Sequence, residues 1–256
     1  MGIVNVTPDS FSDGGLYAST NDAVLQAERL IREGADIIDI GGESTRPGSA
    51  PVSIEEELHR VLPVVQALTD IGTPISVDTS KPEVMYETIK SGATMINDIN
   101  ALRSPGALEA VADGDVTICL MHMQGKPKYM QSDPKYKDVI EEIKYFLRQR
   151  IDVVEAAGIA LDRIVIDPGF GFGKTLEHNL KLLRYLDQFT DLGVPILAGL
   201  SRKSMLRDIT GNKKGDLVYS SIAAALMAAV NGAKILRVHD VKATKDALNI
   251  YNAVTS

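Results

Sequence analysis

Eight short, apolar and β-branched runs recur along the whole chain, and each is followed by a longer segment with helical periodicity. The runs lie at 2–6, 36–41, 74–79, 95–99, 116–122, 163–167, 195–200 and 235–239. This alternation predicts a parallel α/β fold, because parallel strands are joined by helical crossovers. Eight units in 256 residues leave about 32 residues per unit, the length of one βα repeat. We therefore predict one (β/α)8 TIM barrel over 1–256, in preference to a doubly wound open sheet.

Helix boundary signals fit this rhythm. Asn21 precedes an amphipathic run and is a candidate cap. Ser53 with Glu56 has the spacing of a capping box, and Pro82 suits a first helical turn. No Pro/Gly/Ser-rich linker interrupts the chain, which favours a single domain. The first strand begins at residue 2, so we expect a chain that is trimmed at its N-terminus or lacks the plug that usually covers the bottom of such a barrel.

Composition excludes several classes of function. The chain has 27 basic and 34 acidic residues and no long basic run, which argues against a nucleic-acid partner. The most apolar stretch, at 220–230, is shorter than the roughly 20 residues that a membrane span needs. The single cysteine, Cys119, rules out an internal disulfide and is predicted to be a buried small hydrophobe. We expect a soluble, cytoplasmic protein with no membrane or nucleic-acid partner.

Polar residues stand at the end of every predicted strand or in the loop that follows it. In a TIM barrel the catalytic groups come from these carboxyl-terminal ends, which meet at one mouth. A charge that is buried there without a partner is costly. The convergence therefore predicts an active site made of these side chains: Asn5, Asp39, Glu43, Asp78, Asn97, Asp98, His122, Asp167, Ser201, Arg202, Lys203, Arg237, His239 and Asp240.

Two familiar motifs are imitated but not present. The segment PGFGFGKT at 168–175 resembles a phosphate loop, but Pro168 stands where the first glycine of that motif is required. The segment also lacks the GxGxxG spacing of a dinucleotide fold. There is no HExxH and no cysteine cluster, so a zinc site is not expected.

The strand-end segments together resemble the dihydropteroate synthase family of pterin-binding TIM barrels. The matching segments occur in order and span almost the entire chain: MGIVNVTPDSFSDGG at 1–15, GGESTRPGS at 41–49, SVDTSKPEV at 76–84, INDI at 96–99, CLMHMQGKP at 119–127, DPGFGFGK at 167–174, LSRKSM at 200–205 and RVHD at 237–240. The resemblance implies a Mg²⁺-dependent transferase of folate biosynthesis. Its members join (7,8-dihydropterin-6-yl)methyl diphosphate to p-aminobenzoate, release pyrophosphate, bind sulfonamide inhibitors and form homodimers.

The resemblance also assigns the pterin pocket, to Asp78, Asn97, Ile99, Met121, Asp167 and Lys203. The chemistry agrees, because one carboxylate can accept from the N3–H and 2-amino groups of a pterin together, and we assign this role to Asp167. Lys203 then donates to the 4-oxo group. Asn97 both donates and accepts, while Ile99 and Met121 form apolar walls.

The family's diphosphate site corresponds to Asn5, Thr45, Arg46, Arg237 and His239. Arg237 and His239 are two residues apart on a strand, so both point to one face and can donate to the leaving group. Asn5 offers a neutral oxygen to Mg²⁺, a hard cation that binds largely through phosphates and keeps most of its waters.

The p-aminobenzoate site corresponds to Thr45, Arg46, Pro47, Phe172, Lys203 and Ser204. Two segments rich in Gly and Pro, 7–17 and 44–51, are expected to act as mobile loops that close over bound pterin. Closure excludes water, and this exclusion is needed because water would hydrolyse a carbocation. We therefore expect pterin diphosphate to bind before p-aminobenzoate.

The family mechanism is dissociative, so pyrophosphate leaves before the aniline nitrogen attacks. The catalytic set implied here is Asp78, Asp167, Lys203, Arg237 and His239, with Asp78 stabilising the cation. Two other functions stay open from the residues alone. One is a folate-dependent methyltransferase domain, which has less need of donors at 237–239; the other is a Schiff-base aldolase that uses Lys203.

Overall fold

Strands and helices alternate along the described parts of the chain, as predicted, except that two helices follow the seventh strand. A computed structural model describes residues 1–6, 20–45, 48–212 and 214–255. Within these ranges the strands are β1 Gly2–Asn5, β2 Ile38–Gly41, β3 Ile75–Asp78, β4 Met95–Asp98, β5 Thr117–Met121, β6 Ile164–Asp167, β7 Leu197–Ala198 and β8 Ile235–Leu236. The helices are α1 Thr20–Arg32, α2 Ile54–Leu68, α3 Pro82–Lys90, α4 Ala107–Ala112, α5 Val139–Ala156, α6 Leu176–Arg184, α7 Ser204–Thr210, α8 Val218–Val230 and α9 Val241–Thr255.

The strands close into a barrel. β1 to β6 form one parallel sheet in sequence order, and β7 pairs with β8 in the same direction. Isolated parallel bridges join the two sheets at Ile166 and Ile196 on one side and at Gly2 and Val238 on the other. The amide of Ile3 donates to the carbonyl of Val238 at 3.0 Å, so the last strand meets the first. The predicted (β/α)8 TIM barrel is confirmed, in preference to an open sheet.

Alternation along the strands sorts the barrel interior into two layers. At the amino-terminal ends the inward side chains are apolar, and one cluster brings together residues of distant strands: Met1, Met95, Cys119, Val165 and Leu197. Such a cluster requires a closed barrel, because these strands are not all neighbours in the sheet. Two residues farther along β4 and β6 stand Asn97 and Asp167, so the upper layer is polar. Cys119 is buried, as predicted, and burial raises the pKa of its thiol.

Local signals determine where several helices begin. The side chain of Ser53 accepts from the amide of Glu56 at 3.2 Å, which confirms the predicted cap of α2. Pro82 is the first residue of α3, also as predicted. The prediction for Asn21 was wrong, because α1 begins one residue earlier, at Thr20, and Asn21 lies in its first turn.

The last two strands are shorter than predicted. β7 covers two residues, since Pro195 has no amide to donate and Gly199 follows the paired segment. In the part of the chain that the structure describes, no helix is both long and apolar enough to cross a membrane.

Candidate active site

The carboxyl-terminal ends of the strands surround one cavity of about 1070 Å³. This volume is at the upper end of the usual range for ligand pockets, roughly 300–1,000 Å³, and suits two substrates together. The residues that the resemblance assigns to a substrate and that lie within the described ranges all line it: Asn5, Thr45, Asp78, Asn97, Ile99, Met121, Asp167, Phe172, Lys203, Ser204, Arg237 and His239. Of the other strand-end polar residues, Glu43, Ser201, Arg202 and Asp240 also line it. The prediction was wrong for Asp39, Asp98 and His122, which are buried and do not line the cavity. Arg46, Pro47 and the segment 7–17 lie outside the described residues.

Arg237 links two carboxylates in the floor of the cavity. Its Nε donates to Asp39 Oδ2 at 2.6 Å, and a terminal nitrogen donates to Asp78 Oδ2 at 2.8 Å. Asn97 adds a donor to the same Asp39 oxygen at 3.4 Å. The guanidinium was predicted only as a donor to diphosphate, and the structure adds a second role. Arg237 balances the negative charge of Asp39 and Asp78.

Burial shifts the ionisation of this cluster. Desolvation raises the pKa of Asp78 to about 7, although the positive charge of Arg237 opposes the shift. Burial also disfavours the charged form of Arg237, but Asp39 and Asp78 outweigh that effect and raise its pKa. Arg237 therefore stays charged, while the charge of Asp78 responds to pH near neutrality.

Asp167 and Lys203 carry opposite charges and influence each other electrostatically. Asp167 Oδ1 accepts from the amide of Gly169 at 2.7 Å, and burial raises the pKa of this carboxyl while Lys203 opposes the shift. The ammonium of Lys203 donates to the carbonyl of Phe170 and lies 4.8 Å from the ring centroid of Phe172. Burial lowers the pKa of Lys203 to about 8. An acceptor and a donor thus face the cavity from β6 and from the loop after β7.

An apolar wall completes the pocket. Ile99 and Met121, which the sequence predicted as walls, belong to one cluster with Met123, Met130 and Phe172, a residue that the resemblance assigned to the p-aminobenzoate site. The two additional methionines were not predicted, because the loop after β5 gives no periodic signal. A flat aromatic ligand fits between such a wall and the polar groups.

The glycine-rich turn after β6 is held by its own lysine. The buried Lys174 donates to the carbonyls of Gly169 at 2.8 Å and Phe172 at 3.1 Å, and its Nζ is 3.1 Å from His122 Nδ1. Burial lowers the pKa of His122 to about 2 and that of Lys174 well below its usual range. A Cβ on Gly169 would stand 1.9 Å from the carbonyl oxygen of His122, so only glycine fits there. Lys174 therefore stabilises the turn by these contacts.

Two adjacent residues after β7 pair with two adjacent residues after β8. Ser201 Oγ is 2.9 Å from His239 Nδ1, and Arg202 binds Asp240 with a shortest distance of 2.8 Å. Arg202 has a φ of 58°, and its amide donates to Ser221 Oγ at 2.9 Å. The two Arg202 contacts hold the turn that presents Lys203 and Ser204, the first residue of the seven-residue helix α7.

Sequence reasoning missed several residues of the site. Asp39 appeared among the strand-end polar groups without a role, although a carboxylate within the apolar run DIIDIG signals a buried charge. Lys174 and Ser201 had no assigned role either. Their function depends on partners 52 and 38 residues away in the chain, which no local pattern reveals.

Comparisons with known proteins agree with this geometry. Residues 1–239 match the model of a family described as pterin binding enzyme. The chain is 53% identical to dihydropteroate synthase of Escherichia coli (strain K12), over 100% of this chain and 91% of that protein.

Solved structures are equally similar. Yersinia pestis dihydropteroate synthase with a sulfonamide drug has a TM-score of 0.96 and 50% identity, covering 100% of this chain and 93% of that one. The Xanthomonas albilineans enzyme in complex with 7,8-dihydropteroate has a TM-score of 0.88 and 48% identity, with 100% and 92% covered. These relatives are synthases, which favours that reaction over the methyltransferase and aldolase alternatives. The chain therefore belongs to the pterin-binding enzyme family, and within it to the dihydropteroate synthases.

Proposed function

We propose that this chain condenses (7,8-dihydropterin-6-yl)methyl diphosphate with p-aminobenzoate. The C–O bond to the diphosphate breaks, a C–N bond to the aniline forms, and the aniline nitrogen releases one proton. The observation that carries the proposal is the single cavity in which Asp167 and Lys203 stand beside Arg237 and His239. An acceptor for the pterin edge and donors for the leaving group thus line the same cavity.

Pterin recognition uses Asp167, Asn97 and Lys203. The Asp167 carboxylate accepts from N3–H and the 2-amino group, and Lys203 donates to the 4-oxo oxygen. Ile99 and Met121 contact the faces of the ring. In this structure Lys203 donates to the carbonyl of Phe170. We infer that pterin takes over this donor, which makes the lysine ready for its ligand.

The diphosphate is held by Arg237, His239, Asn5, Thr45 and Arg46. Among the described residues there is no group of three or more His, Cys, Asp or Glu that could hold a metal ion. A neutral amide oxygen on Asn5 fits a hard cation that arrives with the diphosphate and keeps most of its waters. Mg²⁺ bound there would neutralise charge on the leaving group. Its affinity is then expected to depend on the diphosphate.

Departure of pyrophosphate leaves a cation that is delocalised into the pterin ring. The ionised carboxylate of Asp78 stabilises this charge, since two unit charges about 4 Å apart interact by roughly 4 kcal/mol at an effective dielectric constant near 20. Asp167 is engaged in recognition, and Arg237 orients Asp78 through the 2.8 Å bond. The aniline nitrogen is neutral at pH 7 and attacks without a dedicated strong base.

The second substrate binds against Phe172, with Thr45, Arg46, Pro47, Lys203 and Ser204 around it. The Ser204 hydroxyl and the Arg46 guanidinium suit the carboxylate of p-aminobenzoate. A sulfonamide presents a similar aniline and a similar anionic end, so we propose that sulfonamides compete for this site. p-Aminobenzoate binds there after pterin diphosphate.

A homodimer in the cytoplasm completes the proposal. Large apolar side chains are exposed on α8 and α9, including Tyr219 at 87%, Ile250 at 69% and Val254 at 79%. An apolar surface of this kind is typical of a protein interface. Sedimentation velocity would measure the association, and Ile250→Asp is expected to weaken it.

The direct test is a condensation assay on the purified chain. We expect 7,8-dihydropteroate and pyrophosphate in equal amounts, with both substrates and Mg²⁺ required. A sulfonamide should inhibit competitively against p-aminobenzoate. Absence of product with both substrates and Mg²⁺ present would contradict the proposal. Covalent trapping of a carbonyl substrate on Lys203 by borohydride, through reduction of a Schiff base, would favour the aldolase alternative instead.

A further inference from the structure

One hydroxyl contacts both the backbone and the ring of His239. Ser201 stands three residues after β7 and is 7% exposed. Its Oγ accepts from the backbone amide of His239 at 3.2 Å and lies 2.9 Å from His239 Nδ1. These contacts fix the imidazole relative to the end of β8. The next pair along, Arg202 with Asp240, holds the same two loops together.

The contacts point to the ring nitrogen that carries the proton. The serine oxygen already accepts from an amide, and within residues 1–6, 20–45, 48–212 and 214–255 the group placed to take its own proton is Nδ1, 2.9 Å away. A neutral imidazole that accepts at Nδ1 carries its hydrogen on Nε2. If the ring gains a second proton, Nδ1–H donates to the serine oxygen instead, and Nε2 remains a donor. Nε2 therefore presents N–H in either state of charge.

The position of the proton on His239 matters because the ring faces the cavity. His239 lines the cavity together with Arg237, Asn5 and Thr45. Phosphate oxygens accept hydrogen bonds, so the opposite tautomer would present a lone pair to them. Arg237 meanwhile uses Nε and one terminal nitrogen on Asp39 and Asp78. His239, which follows β8, is therefore the donor in this segment whose proton position is controlled by a neighbouring residue.

We propose that Ser201 is a positioning residue that fixes His239 as an Nε2–H donor to the departing pyrophosphate. The identity of the anion rests on the proposed function; the tautomer does not. Loss of the serine hydroxyl releases the ring to exchange tautomers and to rotate, while the pterin pocket is untouched. The defect should therefore appear in pyrophosphate binding and in release of the leaving group, with pterin affinity unchanged.

Long-range ¹H–¹⁵N NMR of the imidazoles tests the tautomer directly. The chain has four histidines, and His239→Gln assigns the relevant signals. In the unmodified protein the neutral form of His239 should show the proton on Nε2, and Ser201→Ala should shift it toward a mixture. Inhibition by inorganic pyrophosphate should weaken about tenfold in Ser201→Ala, with Kd for 7,8-dihydropterin changed less than twofold.

Matched variants separate positioning from packing. Ser201→Thr keeps the hydroxyl and should keep both readouts. Ser201→Val has the same shape as Ser201→Thr without the hydroxyl and should lose both, which preserves the test if Ser201→Ala does not fold. Ser220→Ala removes a hydroxyl in α8 that donates to the carbonyl of Leu217, and it should change neither the tautomer nor the pyrophosphate inhibition. An Nδ1–H tautomer in the unmodified protein, or unchanged pyrophosphate inhibition in Ser201→Ala and Ser201→Val, would overturn the proposal. Failure of the condensation assay alone would leave the tautomer result standing.

Discussion

The guanidinium of Arg237 binds the carboxylate of Asp39 across the inside of the barrel, with Nε 2.6 Å from Oδ2. The contact joins the last strand region to β2, and the same guanidinium reaches Asp78 on β3. Asp39 is fully buried, and its other oxygen has no partner within the described part of the chain. The carboxylates of Asp39 and Asp78 thus depend on the guanidinium of Arg237, which also faces the cavity.

Replacement of Arg237 by methionine should destabilise the fold as well as abolish turnover. The variant leaves buried Asp39 without its cation, and removal of one partner from a buried pair typically costs about 3–5 kcal/mol. Chemical denaturation would measure the free energy of unfolding. Arg29→Met, which removes an exposed pair with Glu33, should change it by less than about 0.5 kcal/mol. Equal stability of the two variants would contradict the structural role.

Activity should follow a narrow bell-shaped pH profile. Ionised Asp78 is required to stabilise the cation, so kcat/KM for pterin diphosphate rises as pH passes through about 7. Protonated Lys203 is required as a donor, so the rate falls as pH passes through about 8. Asp78→Asn should lower kcat and remove the rising limb, after correction for the substrate's own phosphate ionisation by ³¹P NMR. Persistence of that limb in Asp78→Asn would assign it to another group.

Phe172→Ala should weaken binding of the second substrate in particular. The aromatic face beside Lys203 is lost, and contacts of this kind contribute about 0.5–1.5 kcal/mol. KM for p-aminobenzoate should rise about tenfold, and pterin affinity should change less than threefold. Tyr86→Ala, at an exposed position on α3, is the control. An unchanged KM would remove Phe172 from this site.

Lys174→Met should loosen the turn after β6. The carbonyls of Gly169 and Phe172 lose a buried donor, at a cost of about 1–3 kcal/mol each. We expect a fall in Tm of roughly 10 °C for a chain of this size and a higher KM for p-aminobenzoate. Lys181→Met, half exposed on α6, should leave both unchanged. A normal Tm and KM in Lys174→Met would show that the turn holds without the lysine.

The sequence was sufficient for the barrel and for the outline of the site. The recurring apolar runs predicted all eight strands. Buried parallel strands are continuously apolar, and this property can be read from the local sequence. The position of a polar residue at a strand end likewise placed Asp167 and Lys203 at the mouth. Such information lies within a few residues of each side chain.

Pairing between distant side chains could not be predicted in the same way. The contact of Arg237 with Asp39 spans 198 residues, and it depends on the width of the barrel and on which rotamers fit inside it. The burial of Lys174 against His122 depends on how two loops pack. Neither relationship leaves a periodic signal, so both required coordinates.

Pterin binding to Asp167→Asn tests the central claim most directly. Isothermal titration with 7,8-dihydropterin would compare this variant with the unmodified protein and with Asp36→Asn, an exposed carboxylate paired with Lys245. Loss of the charged, two-fold acceptor should weaken binding at least about 100-fold, close to 3 kcal/mol, while Asp36→Asn binds normally. Unchanged pterin affinity in Asp167→Asn would contradict the placement of the pterin in this cavity.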